Sequence, residues 1–222
     1  MKGVTKLKYN KIPEATIRRL SRYSRCLEQM DEKGEKVISS AQLASKCMVN
    51  AAQVRKDLAY FGEFGIRGVG YYVKDLLNDI KRILGLNKEW RMALIGVGDL
   101  GSALLSYKDF LKQNYKIVAA FDIDPQKVIG RVSEKLGKPV EILHINRLKE
   151  VAKERKIEIG IIAAPPSEAQ KVANLLVEAE IRGILNFAPA QIKVPEGFVV
   201  KDVFFTNILD NLAYLLSIKN PL

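Results

Sequence analysis

Apolar residues recur at helical spacing in the first part of the chain. Between residues 13 and 30 they fall every three or four positions, which predicts an amphipathic helix with one buried stripe. The stripe is formed by Ile17, Leu20, Tyr23, Leu27 and Met30. Four arginines lie off this stripe: Arg18, Arg19, Arg22 and Arg25.

Two signals for helix starts follow this first helix. Ser39 and Gln42 fit a capping box, and Asn50 and Gln53 repeat the pattern with asparagine as the cap. Helices should therefore begin near residues 40 and 51, with a short turn between them. A long helix followed by two short helices is typical of a helix-turn-helix, here over about residues 21–60.

A segment rich in glycine and aromatic residues comes next. Alternating apolar residues around the glycines of 61–73 predict a β-hairpin whose basic residue is Arg67. Residues 74–85 predict one more helix. A helix-turn-helix followed by a hairpin predicts a winged helix, and residues 1–85 are assigned to this domain.

The rest of the chain alternates buried strands with helices. Apolar runs predict strands at 91–95, 117–122, 140–142, 158–164 and 183–187, and helices are predicted from Ser102, at 145–156 and at 168–180. This alternation predicts an α/β fold with a parallel, doubly wound sheet over residues 86–203.

The last segment, residues 204–222, predicts a strongly amphipathic helix that follows the completed sheet. Its apolar residues recur at helical spacing: Phe205, Ile208, Leu209, Leu212, Leu215 and Leu216. The helix either folds back on its own domain or packs on a partner subunit. A reader of palindromic DNA needs a dimer, so the partner is favoured.

A glycine turn connects the first strand of this second part to its helix. Gly96, Gly98 and Gly101 have the spacing G-x-G-x-x-G between an apolar strand and a helix start. In such turns the glycines permit a tight bend, close approach of a pyrophosphate and close helix packing. The phosphates would bind the turn and the first N–H groups of the helix, at Gly96, Val97, Gly98, Asp99, Leu100 and Gly101.

An acid ends the next strand, 24 residues after Gly98. A carboxylate about 20 residues beyond the turn can accept both ribose hydroxyls of an adenosine. Asp122 would repel a 2′-phosphate, so the sequence indicates NADH or NAD+ and not the phosphorylated cofactor. The alternative is a glycine turn in a Rossmann-like sheet that binds nothing.

Ligands of doubly wound sheets lie at the carboxyl ends of the strands. This rule predicts a far wall for a nicotinamide at Ala163, Ala164, Pro165, Asn186 and Phe187, with Tyr107 as a further candidate. For Phe187, ordinary core packing is an equally good interpretation.

Composition narrows the class of protein. The net charge is +11, and residues 1–90 carry 18 Lys and Arg against 10 Asp and Glu, which suggests a polyanionic partner for the first domain. The sequence has no secretory signal and no span for a membrane, and only two cysteines, Cys26 and Cys47, so a cytoplasmic protein is expected. One histidine and no Cys/His cluster predict no metal site.

A basic winged helix predicts binding to double-stranded DNA, because its second short helix can enter the major groove and its wing the minor groove. The alternative is a small helical dimerisation domain. Candidate contacts lie on the capped helix starts, the outer side of the second helix and the wing: Ser40, Gln42, Asn50, Gln53, Arg55, Lys56, Arg67 and Gly68.

Enzyme chemistry has little support in the sequence. A nicotinamide dehydrogenase needs a proton donor at the reacting carbon, and the one histidine, His144, is expected near a helix start, well away in sequence from the strand ends. The nucleotide is therefore interpreted as a signal. An NAD-dependent oxidoreductase and a generic nucleoid or RNA-binding protein stay as alternatives.

Four segments resemble the redox-sensing transcriptional repressor Rex of bacteria. They are residues 52–65 (AQVRKDLAYFGEFG), 67–71 (RGVGY), 96–101 and 183–189 (GILNFAP). The resemblance implies a homodimer with winged-helix and Rossmann domains that exchanges its C-terminal helix. It implies repression of genes of fermentation and anaerobic respiration from an inverted-repeat operator, with NADH lowering the DNA affinity.

The resemblance also assigns roles to residues. It implies that Gly96 to Gly101 and Asp122 hold the cofactor, with Tyr107 and Phe187 near the nicotinamide. It implies that Gln53, Arg55, Lys56 and Arg67 face DNA.

Overall fold

A computed structural model describes residues 12–107, 110, 113–126 and 140–219. The chain divides into two units, Met1–Lys88 and Glu89–Leu222. The basic arm at residues 1–11 and the glycine-bearing segment at 130–137 lie outside the described residues.

The first unit is mainly helical. In its described part it consists of α1 (Glu14–Glu32), β1 (Val37–Ile38), α2 (Ser40–Lys46), α3 (Ala51–Ala59), β2 (Tyr71–Tyr72) and α4 (Val73–Ile83). Helices α2 and α3 begin at the predicted residues. The Ser39 hydroxyl accepts the Gln42 N–H at 3.2 Å, and the Gln42 side chain accepts the Ser39 N–H at 2.9 Å, which confirms this capping box.

The core of the first unit lies between α1, α3 and α4. The predicted stripe of α1 is buried at Leu20, Tyr23, Leu27 and Met30, and Ile17 is half-buried against it. From α3 and α4, fully buried side chains such as Val54 and Ile80 complete the cluster.

The predicted hairpin over 61–73 is wrong in its pairing. Ile66 and Gly70 form a single antiparallel bridge, and β2 instead pairs with β1, a strand that the sequence did not reveal. The physical reason is glycine: Gly65 and Gly70 both have positive φ, and a Cβ on Gly70 would lie 2.5 Å from the Ile38 carbonyl oxygen. These residues bend the chain closely against β1, so no regular hairpin forms.

A parallel sheet of six strands organises the second unit. The strands are β3 (Trp90–Ile95), β4 (Tyr115–Asp122), β5 (Ile142–His144), β6 (Ile159–Ile162), β7 (Gly183–Asn186) and β8 (Val199–Asp202). Their order is β5-β4-β3-β6-β7-β8, the order of a doubly wound dinucleotide-binding sheet. The predicted parallel α/β fold is confirmed, although β8 was not predicted and β5 begins two residues later than expected.

Helices flank this sheet and follow it. Within the described part of this unit they are α5 (Asp99–Leu105), α6 (Leu148–Glu154), α7 (Ala169–Glu178) and α8 (Phe205–Lys219). Helix α5 begins at Asp99 and not at Ser102, because Gly98 is its N-cap. Short 3₁₀ turns precede α6 and α7, so both helices begin later than the periodicity predicted.

Candidate functional site

A buried carboxylate anchors α3 to α1. Asp57 is fully buried, and its oxygens accept hydrogen bonds from Thr16 at 3.1 Å, from Tyr23 at 2.9 Å and from Gln53 at 2.8 Å. Arg19 adds two more, from Nε at 2.6 Å and Nη2 at 2.8 Å. Arg19 lies off the apolar stripe as predicted, yet its guanidinium reaches in to neutralise Asp57.

This network lowers the pKa of Asp57. Burial alone would raise it, but the hydrogen bonds from Arg19, Tyr23, Gln53 and Thr16 together outweigh burial. The acid therefore stays ionised, and its charge holds α3 against α1. Sequence reasoning missed Asp57, although its spacing from Val54 and Phe61 places it on the inward side of α3.

The predicted capping box at the start of α3 forms only by half. Asn50 accepts the Gln53 N–H at 2.7 Å, but the Gln53 side chain donates to Asp57 and does not return to Asn50. Gln53, expected on the outer side, is half-buried with its amide nitrogen turned inward. Arg55 and Lys56 are exposed on α3 and are its basic residues.

Side chains near the start of α2 and along α3 lie close to each other on the exposed side. The Arg55 guanidinium donates to the Ser40 hydroxyl at 3.0 Å. Asn50 and Gln42, which cap the helices, are also exposed. This surface presents amide, hydroxyl and guanidinium groups of the kind that read base edges.

The residues between Ile66 and Gly70, called the wing from here on, form a tight turn with a basic tip. Ile66 and Gly70 exchange two backbone hydrogen bonds of 2.8 and 2.9 Å, and Gly68 has a φ of +83°. Arg67 and Gly68 are exposed at the tip. An exposed arginine on a narrow turn has the shape and charge to enter a minor groove.

Two of the three glycines in the second unit's turn are required by its own backbone. A Cβ on Gly96 would lie 2.6 Å from the Ala163 carbonyl oxygen, and one on Gly101 would lie 2.1 Å from the Gly96 carbonyl oxygen. Gly98 differs, because its added Cβ would meet no atom within 4 Å and its φ is −70°. Among the described residues no contact explains a glycine at position 98, whereas a ligand lying against the backbone would.

Asp122 lies beside this open space. Its Oδ2 accepts the Val97 N–H at 2.8 Å, and its Oδ1 accepts the Asp124 N–H at 3.0 Å. Each oxygen keeps a second lone pair, so the carboxylate can still accept two hydroxyl groups. The glycine turn and the acid thus occupy one end of neighbouring strands β3 and β4.

The far wall is assembled only in part as predicted. Ala164 is half-buried and Pro165 exposed directly after β6, and Phe187 is half-buried, with its N–H donating to the Ile162 carbonyl at 2.9 Å. The Phe187 ring lies 6.3 Å from that of Phe205, at the start of α8. Tyr107 is 52% exposed beyond α5, where its ring stacks edge-on against Phe110.

Asn186 is not part of a ligand wall. It is fully buried, donates to the Ala190 carbonyl at 2.9 Å and to Asp202 at 2.8 Å, and accepts the Ala188 N–H at 3.0 Å. The side chain therefore fixes the loop after β7 and the adjacent strand β8, whose existence the sequence did not predict.

His144 lies at a helix start as expected, because it caps the 3₁₀ turn before α6, but its expected distance from the strand ends is wrong. It is the last residue of β5 and pairs in register with Asp122, so it lies at the same end of the sheet as the candidate site. Its Nδ1 accepts the Asn146 N–H at 3.3 Å. His144 therefore lies next to Asp122 on β5, the edge strand, whereas β3 lies on the other side of β4.

The residues present fit a dinucleotide. The switch point of the sheet lies between β3 and β6, and the open space at Gly98, the acid Asp122 and the wall at Ala164 all lie at the carboxyl ends of these and adjacent strands. Within the described ranges, no group of three His, Cys, Asp or Glu residues could hold a metal ion. No described helix is long and apolar enough to cross a bilayer.

Two protein families match the chain. The family described as "Putative DNA-binding protein N-terminus" matches residues 11–59. The family described as "CoA binding domain" matches residues 87–190.

Curated relatives share about half of the residues over nearly the whole length. The redox-sensing transcriptional repressor Rex of Syntrophobacter fumaroxidans is 55% identical over 211 residues, which cover 95% of this chain and 99% of the relative. The protein of the same name from Carboxydothermus hydrogenoformans is 50% identical over 204 residues, covering 92% and 96%.

Solved structures of a repressor named RSP share the fold. RSP in complex with beta-NAD+ and operator DNA is 37% identical, with a TM-score of 0.85 and coverage of 94% of both chains. RSP in complex with beta-NADH is 35% identical, with a TM-score of 0.79 and coverage of 94% and 96%.

Proposed function

The chain belongs to the Rex family of redox-sensing transcriptional repressors, and we propose that it binds an inverted-repeat operator as a homodimer and releases it when NADH binds the second unit. The observation that carries this proposal is the open space at Gly98 beside Asp122. It is a place for a pyrophosphate next to an acceptor for ribose hydroxyls. The cofactor is thus a regulatory ligand, NADH or NAD+.

The charge of Asp122 selects among nucleotides. NADP carries a 2′-phosphate and coenzyme A a 3′-phosphate on the adenosine ribose, and a carboxylate at the ribose would repel either one. NADH has free hydroxyls at both positions, which the two carboxylate oxygens can accept. The nucleotide-binding fold that the CoA binding domain family describes is therefore used here for NADH and NAD+.

The first unit supplies the DNA contacts. We assign base and phosphate contacts to the exposed side of α2 and α3 and to the wing tip: Ser40, Gln42, Asn50, Gln53, Arg55, Lys56, Arg67 and Gly68. Arg55 and Lys56 are exposed on α3, and Arg67 is exposed on a turn narrow enough for the minor groove.

A second copy of the chain would cover the exposed apolar side chains of α8. The large apolar side chains along this helix, from Phe205 to Ile218, are 43–65% exposed. A contiguous apolar surface of this kind is typical of a protein interface. A two-fold dimer also matches the two half-sites of an inverted repeat, whose recognition helices must be roughly 34–36 Å apart or a multiple of that.

The ring of Phe187 links the nucleotide site to the dimer interface. It packs on the core beneath the site and lies 6.3 Å from the ring of Phe205 on α8. An apolar wall of Phe187 and Ala164 favours the neutral reduced nicotinamide over the cation, because an unpaired buried charge is costly. A shift of α8 would then change the separation of the two α3 helices.

Release requires a difference in affinity between two arrangements of the dimer. A ligand that binds both equally shifts nothing, and moving the population from 99:1 to 1:99 takes roughly a 10⁴-fold preference. NADH must therefore favour the arrangement that cannot span both half-sites.

The oxidoreductase alternative is set aside, because relatives with 55% and 50% identity are named repressors. No metal takes part in the proposed mechanism. A protein that reads operators must reach the genome, so we place it in the cytoplasm.

Substitution of Gly98 by valine tests the nucleotide site. Because a Cβ added at this position meets no described atom within 4 Å, Gly98→Val should fold and bind the operator within about twofold of wild type. The side chain would fill the space for the pyrophosphate, so NADH should no longer release the DNA. Ala103→Val adds a side chain of the same size on the exposed side of α5 and should behave as wild type.

Fluorescence anisotropy of a labelled operator duplex measures both properties in one titration. Normal release of Gly98→Val by NADH would place the nucleotide elsewhere. Loss of operator binding by Gly98→Val before any nucleotide is added would mean that the substitution damages more than the site.

A further inference from the structure

The two cysteines of the chain meet inside the DNA-reading unit. The Sγ atoms of Cys26 and Cys47 lie 2.9 Å apart, although 21 positions separate the residues in sequence. Both are free thiols. A disulfide bond has a sulfur–sulfur distance of about 2.0 Å, so bond formation requires the atoms to approach by only about 0.9 Å.

The two cysteines connect α1 with the end of α2, two helices of the unit that is proposed to bind DNA. Cys26 lies on α1, and Cys47 is the C-cap of α2, directly before the turn that leads to the cap of α3. The Arg22 guanidinium already holds this point by donating to the Cys47 carbonyl at 3.1 Å. A bond between the sulfurs would therefore fix the helix-turn-helix turn to α1 at a place where α1 already contacts it.

The two thiols differ in exposure, which sets the order of their reactions. Cys26 is half-buried and can meet a small oxidant, whereas Cys47 is 1% exposed. Burial is the main cause that raises the pKa of the Cys47 thiol, and the contact with Cys26 is the second cause. Cys47 therefore stays protonated at neutral pH, and Cys26 is the thiol that a solvent oxidant reaches first.

We infer that Cys26 and Cys47 are a reversible dithiol–disulfide site, a second redox input that acts on the DNA-reading unit independently of the nucleotide. The oxidant is hydrogen peroxide. It converts the Cys26 thiol to a sulfenic acid with release of water. The Cys47 sulfur then attacks the Cys26 sulfur, the sulfenic hydroxyl leaves with the Cys47 proton as a second water, and two electrons have passed from the thiols to the peroxide.

The disulfide stabilises the helix-turn-helix without displacing it. It closes the loop between residues 26 and 47, which contains β1 and α2, and so restricts the unfolded chain. The small approach of the sulfurs leaves α3 in place. The thermal unfolding midpoint of the first unit should rise by roughly 10 °C, while operator affinity in the absence of nucleotide changes by less than about threefold.

The test uses the full-length protein, reduced and freed of reductant, with a small excess of hydrogen peroxide. The chain has only two cysteines, so the count of free thiols after denaturation should fall from two to none. The intact mass should fall by two hydrogen atoms, the chain should run as a monomer on a non-reducing gel, and dithiothreitol should reverse all changes.

Cys26→Ser is the control, since it changes the more exposed sulfur. It should fold with the midpoint of the reduced wild type and show no loss of two hydrogens and no rise in midpoint with peroxide. Addition of oxygen atoms without loss of hydrogen, disulfides between chains, or a lower midpoint after oxidation would overturn the proposal. These readouts need neither NADH nor operator, so they stand apart from the proposed function.

Discussion

The buried Asp57 offers the sharpest test of how the first unit is held together. Replacing it with alanine removes the acceptor for five hydrogen bonds, four that join α3 to α1 and one from Gln53 within α3. The Thr16 and Tyr23 hydroxyls, 1% and 0% exposed, would then be buried without this partner. The Arg19 guanidinium is 24% exposed and can turn partly to water, so it contributes less of the loss.

The expected cost is large for a unit of this size. Breaking a buried, hydrogen-bonded charge pair costs about 3–5 kcal/mol, and the two buried hydroxyls account for about 1–3 kcal/mol each within that range. Domains are stable by only about 5–15 kcal/mol. We therefore expect Asp57→Ala to lower the unfolding midpoint of the first unit by on the order of 15 °C.

The stabilisation by Asp57 should decrease as the pH is lowered. Because the pKa of Asp57 is lowered in the folded state, its stabilisation is present above the unfolded pKa of about 3.9. It is lost as the pH falls through the lower folded value. The isosteric Asp57→Asn variant should therefore be less stable than wild type at pH 7, and the gap should narrow towards pH 3.

Urea unfolding followed by circular dichroism measures the helices of both units, and the part of the change that tryptophan fluorescence does not share belongs to the first unit. The single tryptophan, Trp90, lies in the second unit, so its fluorescence follows the other unit in the same sample. Glu32→Gln changes an exposed acid at the end of α1 and should stay within about 0.5 kcal/mol of wild type. If Asp57→Ala matched that control, or if the gap to Asp57→Asn were the same at pH 3 and pH 7, the reasoning would be refuted.

Three further substitutions test the proposed sites. Asp122→Asn keeps an acceptor for the Val97 N–H but loses its charge, so the Kd for NADH should rise tenfold or more; calorimetry that finds an unchanged Kd would exclude the acid from the site. Arg67→Ala should weaken operator binding by about 1–3 kcal/mol or reduce the salt slope by about one; identical binding curves over a salt series would remove the wing from the interface. Leu212→Glu changes a residue that is 51% exposed on α8, so the chain should fold but sediment as a monomer; a persistent dimer would place the interface elsewhere.

Local patterns were sufficient for much of the fold. The spacing of apolar residues located α1, and the cap residues Ser39 and Asn50 marked the starts of α2 and α3, because these signals act within a few residues. The alternation of strand and helix similarly gave the parallel sheet. Strands β1 and β8 were missed because each exists only through a distant partner, β2 and β7 respectively.

Buried polar contacts explain the errors at the candidate sites. Gln53 was expected on the outer side of α3, but the buried Asp57 four residues further along the same helix accepts its amide N–H. No local pattern shows that a single acid will be buried. The rule for strand ends predicted Asn186 in the ligand wall, yet its side chain forms hydrogen bonds with Ala190, Asp202 and Ala188. The glycine turn was predictable because its spacing is a local pattern, and the structure adds that Gly96 and Gly101 are required by protein contacts whereas Gly98 is not.

Operator occupancy at fixed salt, titrated in parallel with NADH and with NAD+, tests the proposed sensing most directly. With an inverted-repeat duplex and the full-length dimer, NADH should release the DNA at a concentration at which NAD+ leaves it bound, and neither nucleotide should be consumed. Equal responses to the two forms, or no response to either one, would contradict a repressor gated by the oxidation state of the nucleotide.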